Sequence, residues 1–329
     1  MPDQRKHPFR QRHLALVVLL ALGLLALGPG AARGQPLGCG AVVTQDTTLT
    51  NDLLDCQGDG LVIGAGGITV DLNGHTISGR IISGGEPGQV GIDNSDGHDD
   101  VTIRNGIVQS FARGGVHLAG ADRNRVQDLT LDFFDEFGLL LETGSGSRFL
   151  RNSVDRPGQV GIGIFGSAVA SRGNLIAGNR VDSSNTAGIA LRFGTIAGTT
   201  VEDNQVEENG GEEQWGAGIV VSFSDADILR TVVRRNRLDL NFGGGIFVGG
   251  SAEDTVVERN TLDDSFGPAI ESNGDRTLVR ANRITSNLFP GSTGFGIQVN
   301  SGGEDTRVEA NSIAGPASSA STTAAPARS

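Results

Sequence analysis

The chain has 329 residues, 37% of them hydrophobic and 5% aromatic, with 51 glycines and a formal net charge of −12. That balance excludes nucleic acid and anionic membrane surfaces as partners, because binding to either relies on lysine and arginine. Beyond one apolar run near the start, no segment is long and apolar enough to span a bilayer.

Residues 1–34 read as a secretory signal peptide. Arg5, Lys6, Arg10 and Arg12 make a basic start, "LALVVLLALGLLALG" an apolar run, and "GAARG" supplies small residues before Gln35. The expected location is therefore secreted or periplasmic. Without these residues the chain holds 21 basic and 37 acidic residues, a formal −16, and has no lysine; it has no tyrosine anywhere. Such a surface repels polyuronate chains unless a divalent cation bridges the two. The two cysteines, Cys39 and Cys56, follow at once. An oxidising compartment favours a disulfide between them, worth about 3 kcal/mol for a loop of that length. Residues 35–60 are expected to form a disulfide-bearing N-terminal cap. A lipid-modified Cys39 is the rival reading, but Pro36 stands where that motif wants an aliphatic residue.

From Phe149 to Ile313 a six-residue phrase recurs, typified by "VERNTL" at Val257–Leu262. It sets an asparagine between apolar residues at Asn152, Asn179, Asn204, Asn236, Asn260, Asn282 and Asn311, with Leu129 in that place upstream and a shortened copy at Asn105. A period of about 22–32 residues signals a solenoid. A second phrase, Gly-Φ-x-Φ with Φ apolar, follows each asparagine, as in "GVHL", "GLLL", "GIGI", "GIAL", "GIVV", "GIFV" and "GIQV", with "AIES" a frayed copy. Apolar residues alternating with period two mark β-strands with one face inward. Coils this short stack their strands in parallel. Each asparagine is expected at a sharp turn, where it tolerates left-handed backbone, and its amide is expected to bond the equivalent amides above and below in a ladder. Two residues before each asparagine, Glu202, Arg234, Glu258, Arg280 and Glu309 alternate in sign, which predicts a column of opposite charges in register.

Over residues 40–315 this pattern resembles the right-handed parallel β-helix proteins of the pectate-lyase-like superfamily. The opening "CGAVVTQDTTLTNDLLDCQGDGLVIGAGGITVDLNGHTISG" is similar to secreted bacterial β-helix proteins of the NosD type. The resemblance implies an all-β, right-handed parallel β-helix of about nine to eleven coils over residues 61–315. It also places substrate along the strand that follows the third, variable turn, here the Gly-Φ-x-Φ strand. Both long insertions, "ENGGEEQWGA" and "SNLFPGSTGF", fall just before that strand.

On that strand His117, Glu142, Arg192 and Glu271 are the outward residues able to do acid–base work, and His117, Glu142 and Arg192 are the catalytic candidates. The resemblance implies lysine or arginine bases for lyases and a Tyr/His/Asp/Lys set for alginate epimerases, and the exported chain has neither lysine nor tyrosine to complete them as written. The acidic loop "DNSDGHDD" offers Asp93, Asp96, Asp99 and Asp100 as calcium ligands. Trp215 with Glu212 and Glu213 in one insertion, Phe289 in the other, and Phe247 between them compose a candidate carbohydrate-binding edge. After Ile313 the chain becomes low-complexity, so residues 316–329 are expected to be a disordered tail and the last coil a place for an end-to-end or protein partner. The favoured function is a secreted carbohydrate-binding or scaffold module. The alternatives are a polysaccharide lyase, hydrolase or epimerase, and a NosD-like periplasmic accessory protein.

Overall fold

The structure is a computed structural model and describes residues 36–80, 89–210, 216–223, 226–285, 295–314 and 320–322. Residues 1–34, read as a signal peptide, lie outside the described residues. No helix among the described residues is long and apolar enough to cross a membrane.

One coil illustrates the body. Arg148–Leu150, Ser153–Pro157 and Val160–Phe165 are three short strands separated by sharp corners. Each pairs in parallel with its equivalent one coil before and one coil after, for example Ile162 with Leu139 and Ile189. Alternation sends Phe149, Val154, Ile162 and Ile164 inward, where all are buried. Stacking repeats this into one continuous aliphatic core. Aligned strands of this kind satisfy each other's backbone groups along the axis. Twelve strands make up the first sheet, from Ala41–Val43 to Ala320–Thr322. In the middle coils a four-stranded sheet is added, formed by Ser171–Arg172, Gly194–Ala197, Ala226–Leu229 and Ala252–Glu253.

The asparagine ladder is present, and each rung does more than donate once and accept once. Asn204 donates from its backbone N–H (3.0 Å) and from Nδ2 (2.9 Å) to Oδ1 of Asn236, and Nδ2 also reaches the carbonyl of Ile176 at 3.0 Å. The same pattern runs from Asn152 to Asn311. The turn itself differs from the expectation. The left-handed residue is the one before the asparagine: Arg151, Asp203, Arg235, Arg259 and Ala281 have φ between 53° and 56°. That conformation turns the next side chain inward, so the asparagine is selected for its buried amide and not for its backbone.

The glycine of the Gly-Φ-x-Φ phrase has a steric cause. A Cβ on Gly115, Gly138 or Gly161 would lie 2.6, 2.7 and 2.6 Å from the carbonyl oxygen of the equivalent glycine in the next coil. Coils can stack at this corner only where the side chain is absent or the backbone gives way, and Ala269 is the one copy with a Cβ.

Two boundaries move. The segment read as a cap is itself the first coil, since Ala41–Val43 pairs with Leu61–Ile63 and carries the Cys39–Cys56 disulfide beside it. Within the tail read as disordered, Ala320–Thr322 pairs in parallel with Ile297–Val299. An uncovered sheet edge presents unpaired N–H and C=O groups, and the nearest chain able to cover it is the tail.

Candidate functional site

The first sheet's outer surface is a set of straight columns, because its strands pair without slippage. Asp93, His117, Leu140, Gly163, Ala190, Val220, Phe247, Glu271 and Gln298 follow one another in register. Two residues along, Ala119, Glu142, Phe165 and Arg192 form a second column. Outward did not mean open, however. His117, Leu140, Ala190 and Val220 are buried, because larger neighbours lean across the smaller residues. Val160, Ala187, Ala190, Ala217 and Val220 thus make an apolar patch outside the core, with Phe165, Phe223 and Phe247 packed against it.

At one end of this surface lies a polar cluster. His117 Nδ1 is 3.2 Å from Asp93 Oδ1 and its Nε2 is 3.0 Å from Glu142 Oε2. Arg113 Nη2 stands 3.5 Å from Glu142 Oε1, and Arg113 Nε 3.6 Å from Glu136. The Phe137 ring lies 5.9 Å from the imidazole and 5.5 Å from the Arg113 guanidinium. Exposure is lowest at the centre of this chain of contacts and highest at Glu142: the side chains of Asp93, His117 and Glu142 are 17%, 4% and 41% accessible. Burial alone would raise the Asp93 carboxyl, but hydrogen bonds from His117 and Ser95 outweigh it and hold the group below its ordinary range. Nearby Asp59 moves the other way: burial, reinforced by the charge of Asp93, pushes it up despite a hydrogen bond from the Val90 N–H.

One coil past Glu142 the surface turns aromatic. Phe165 meets Phe193 edge-on at 5.2 Å. The Arg192 guanidinium sits between Phe193 and Phe223, 4.8 and 4.6 Å from their ring centres. Phe223 in turn lies 5.7 Å from Phe247. Arg192 Nε is buried with no hydrogen-bond partner, and no ion pair among the described residues involves this side chain. Arg192 is therefore separated from His117 and Glu142 by Phe165 and belongs to the aromatic stretch, contrary to its grouping with them as a catalytic candidate. Further on, Asn300 donates to Glu271 at 2.7 Å and Asn273 at 2.6 Å, and Gln298 donates to Asn300.

The other sequence candidates fall as follows. Trp215, Glu212, Glu213 and Phe289 lie outside the described residues. The acidic loop does not converge. Asp93 faces His117, Asp99 accepts the Asp122 N–H at 2.8 Å, Arg123 engages both Asp99 and Asp100, and Asp96 is exposed. Among the described residues no three His, Cys, Asp or Glu gather in an arrangement able to hold a metal ion. Sequence reasoning missed Arg113, Asp59, Phe193 and Phe223 as parts of this surface. A signal existed for the first two: "GLVI" at Gly60–Ile63 is an earlier Gly-Φ-x-Φ copy, and Asp59 and Arg113 stand just ahead of such copies.

The chain belongs to the right handed beta helix region family, whose pattern matches residues 39–229 and 169–313. No curated protein matches it significantly. Among solved structures it resembles the lidless DFA-IIIase from Arthrobacter chlorophenolicus A6 in complex with GF2, with a TM-score of 0.56 at 11% identity, covering 78% of this chain and 70% of that one. The GH136 lacto-N-biosidase from Eubacterium ramulus gives 0.57 at 10% identity over 85% of this chain, which spans only 58% of the biosidase. The mannuronan C-5 epimerase AlgE4 A-module of Azotobacter vinelandii gives 0.52 at 15% identity, covering 87% and 88%. At such identities the likeness is one of fold.

Proposed function

We propose that this protein is an extracytoplasmic β-helix that binds a glycan along the outer surface of its first sheet. The observation that carries the reading is the aromatic stretch of Phe165, Phe193, Phe223 and Phe247 over a floor of Leu140, Gly163, Ala190 and Val220. Sugar rings present C–H faces that stack on aromatic rings, and the edges of the rings carry hydroxyls that need partners. Arg192, with its guanidinium over both Phe193 and Phe223, is preorganised as such a partner, so little ordering is left to the moment of binding. The disulfide and the expected signal peptide support export, and the carbohydrate enzymes among the structural neighbours support a glycan as ligand. Glycan-array screening followed by calorimetry on the best ligand tests it. Phe165→Ala and Phe193→Ala should each weaken binding about tenfold or more, equivalent to about 1.4 kcal/mol. Unchanged affinity in both would move the ligand off this surface.

A further inference from the structure

We infer that Glu142 is the reacting carboxyl of a site that hydrolyses glycosidic bonds in neutral glycans, and that His117 and Asp93 are its positioning residues. The inference rests on the reading that a glycan lies along this surface.

Elsewhere several ion pairs lay an arginine fork over an aspartate one coil away, as in Arg123 on Asp100, Arg151 on Asp128, Arg235 on Asp203 and Arg276 on Asp254, and others pair arginine with glutamate one coil away or with an aspartate two residues along. The His117 cluster differs from these. It draws on three successive strands, and its centre is a buried imidazole with a carboxylate on each ring nitrogen. Burying such a group is a poor way to gain stability. A chain that runs from a half-buried aspartate through a buried imidazole to an accessible carboxyl is instead suited to fixing the last member's orientation and supplying its proton.

Proton counting sharpens the roles. Two N···O contacts around one imidazole need two protons. A hydrogen bond at each contact takes one proton between Nδ1 and Asp93 and one between Nε2 and Glu142. Only Glu142, the outermost member, can meet a ligand. Phe165 is its register neighbour on the next strand, about 4.8 Å along the axis, so a sugar stacked on Phe165 brings its linkage over Glu142.

Charge selects the reaction. Elimination or epimerisation next to a sugar carboxylate needs a free cation to neutralise that carboxylate. Here Arg113 is already shared by Glu136 and Glu142, and Asp59 and Asp93 add further carboxyl groups. A neutral linkage suffers no such repulsion. In the step, Glu142 gives its proton to the bridging oxygen as the bond from that oxygen to the anomeric carbon breaks, and the leaving sugar departs as an alcohol. A water oxygen bonds to the anomeric carbon, and the proton that water releases returns to the Glu142 carboxylate.

The test uses the exported chain with reducing-end-labelled neutral oligosaccharides: β-1,3- and β-1,4-glucan, xylan, mannan, galactan, α-glucan and inulin series. Binding is read by calorimetry and cleavage by chromatography of the labelled products. At least one bound glycan should be cleaved. Glu142→Gln, an accessible and near-isosteric change, should keep affinity within about threefold and lower kcat at least about 100-fold. Asp93→Asn and His117→Asn should leave KM in place, lower kcat, and displace a limb of the kcat–pH profile, which a purely structural role would not do. Binding without cleavage, or a Glu142→Gln variant as active as the parent, overturns this inference and leaves the binding function standing. No binding to any series overturns both.

Discussion

Asn236 shows why one residue type recurs at the ladder position. Its Oδ1 accepts both the N–H and the Nδ2 of Asn204, while its Nδ2 donates to Asn260 Oδ1 and to the carbonyl of Val201. All of this occurs at a buried site, where a donor without a partner costs about 1–3 kcal/mol. Aspartate lacks the donors, and leucine, found at position 129 where the ladder ends, lacks both. Asn236→Ala should therefore lower unfolding stability by about 3–5 kcal/mol, read by calorimetric melting. A loss below about 1 kcal/mol would mean that the strands hold the corner without the ladder. The position of these residues was legible in the sequence because spacing alone reveals it. Their backbone role was not, because the left-handed site falls one residue earlier, on Arg151, Gly178, Asp203, Arg235, Arg259 and Ala281, where arginine recurs but no single residue type is kept. A lesser ladder, in which the Ser184 N–H donates to Asn209 and the Asn209 N–H to Asn241, was also hidden, since its members are not all asparagine.

Strands carry the charge patterns, and these pull in opposite directions. The alternating column appears as expected: Glu202, Arg234, Glu258, Arg280 and Glu309 are in register, with Arg234 Nε 2.7 Å from Glu202 and Arg280 Nε 2.7 Å from Glu258. On the strands after the ladder a column of one sign runs in register through Asp132, Asp155, Asp182, Glu207, Asp239 and Asp263. Burial first, and then the neighbouring carboxylates, raise Asp155 and Asp239 above the ordinary value of 3.8. Hydrogen bonds from Arg123, Arg235 and Arg276 lower Asp100, Asp203 and Asp254 below it. A raised group favours the folded state more as pH falls from neutral towards 3.8, whereas a lowered group keeps its contribution above 3.8 and loses it as pH falls through its depressed value. The melting temperature should thus climb modestly from pH 7 into the mildly acidic range and then drop steeply. Scanning calorimetry across that range checks this, and a steady decline from pH 7 downward would contradict it. The acidic column went unread because each member lies in a different repeat with unremarkable neighbours, and only register brings them together. The candidate surface was half legible for a related reason: His117, Glu142 and Phe247 stood on recognised copies of the strand phrase, while Asp93, on "GID", was read as part of a loop.

At the scale of the molecule, every coil contacts only its neighbours, so stability is a sum over interfaces and the ends are the places where it fails first. The Cys39–Cys56 disulfide, 17 residues apart in sequence, staples the first coil. Replacing both cysteines by serine should cost about 3 kcal/mol and expose the opening strands to hydrogen exchange well before the centre. Uniform exchange along the chain would mean that the body unfolds as a single unit. Fold class, period and inward residues were legible because a solenoid writes each constraint many times over. The make-up of the outer surface is written once per coil and was legible only where the register was already known.

Strict register has a further consequence for how such a protein changes over time. Because the coils from Asn152 to Asn311 meet through the same amide ladder, and all but the Ala269 copy through a glycine corner, duplicating or deleting one such coil leaves the joints intact. The acid–base cluster and the aromatic stretch would then shift apart or together by one fixed increment, the strand spacing of about 4.8 Å, without redesign of either. Distances between functional groups on this surface are quantised. Variants of the chain that differ by whole coils would measure out ligands of different lengths with the same two ends of a ruler.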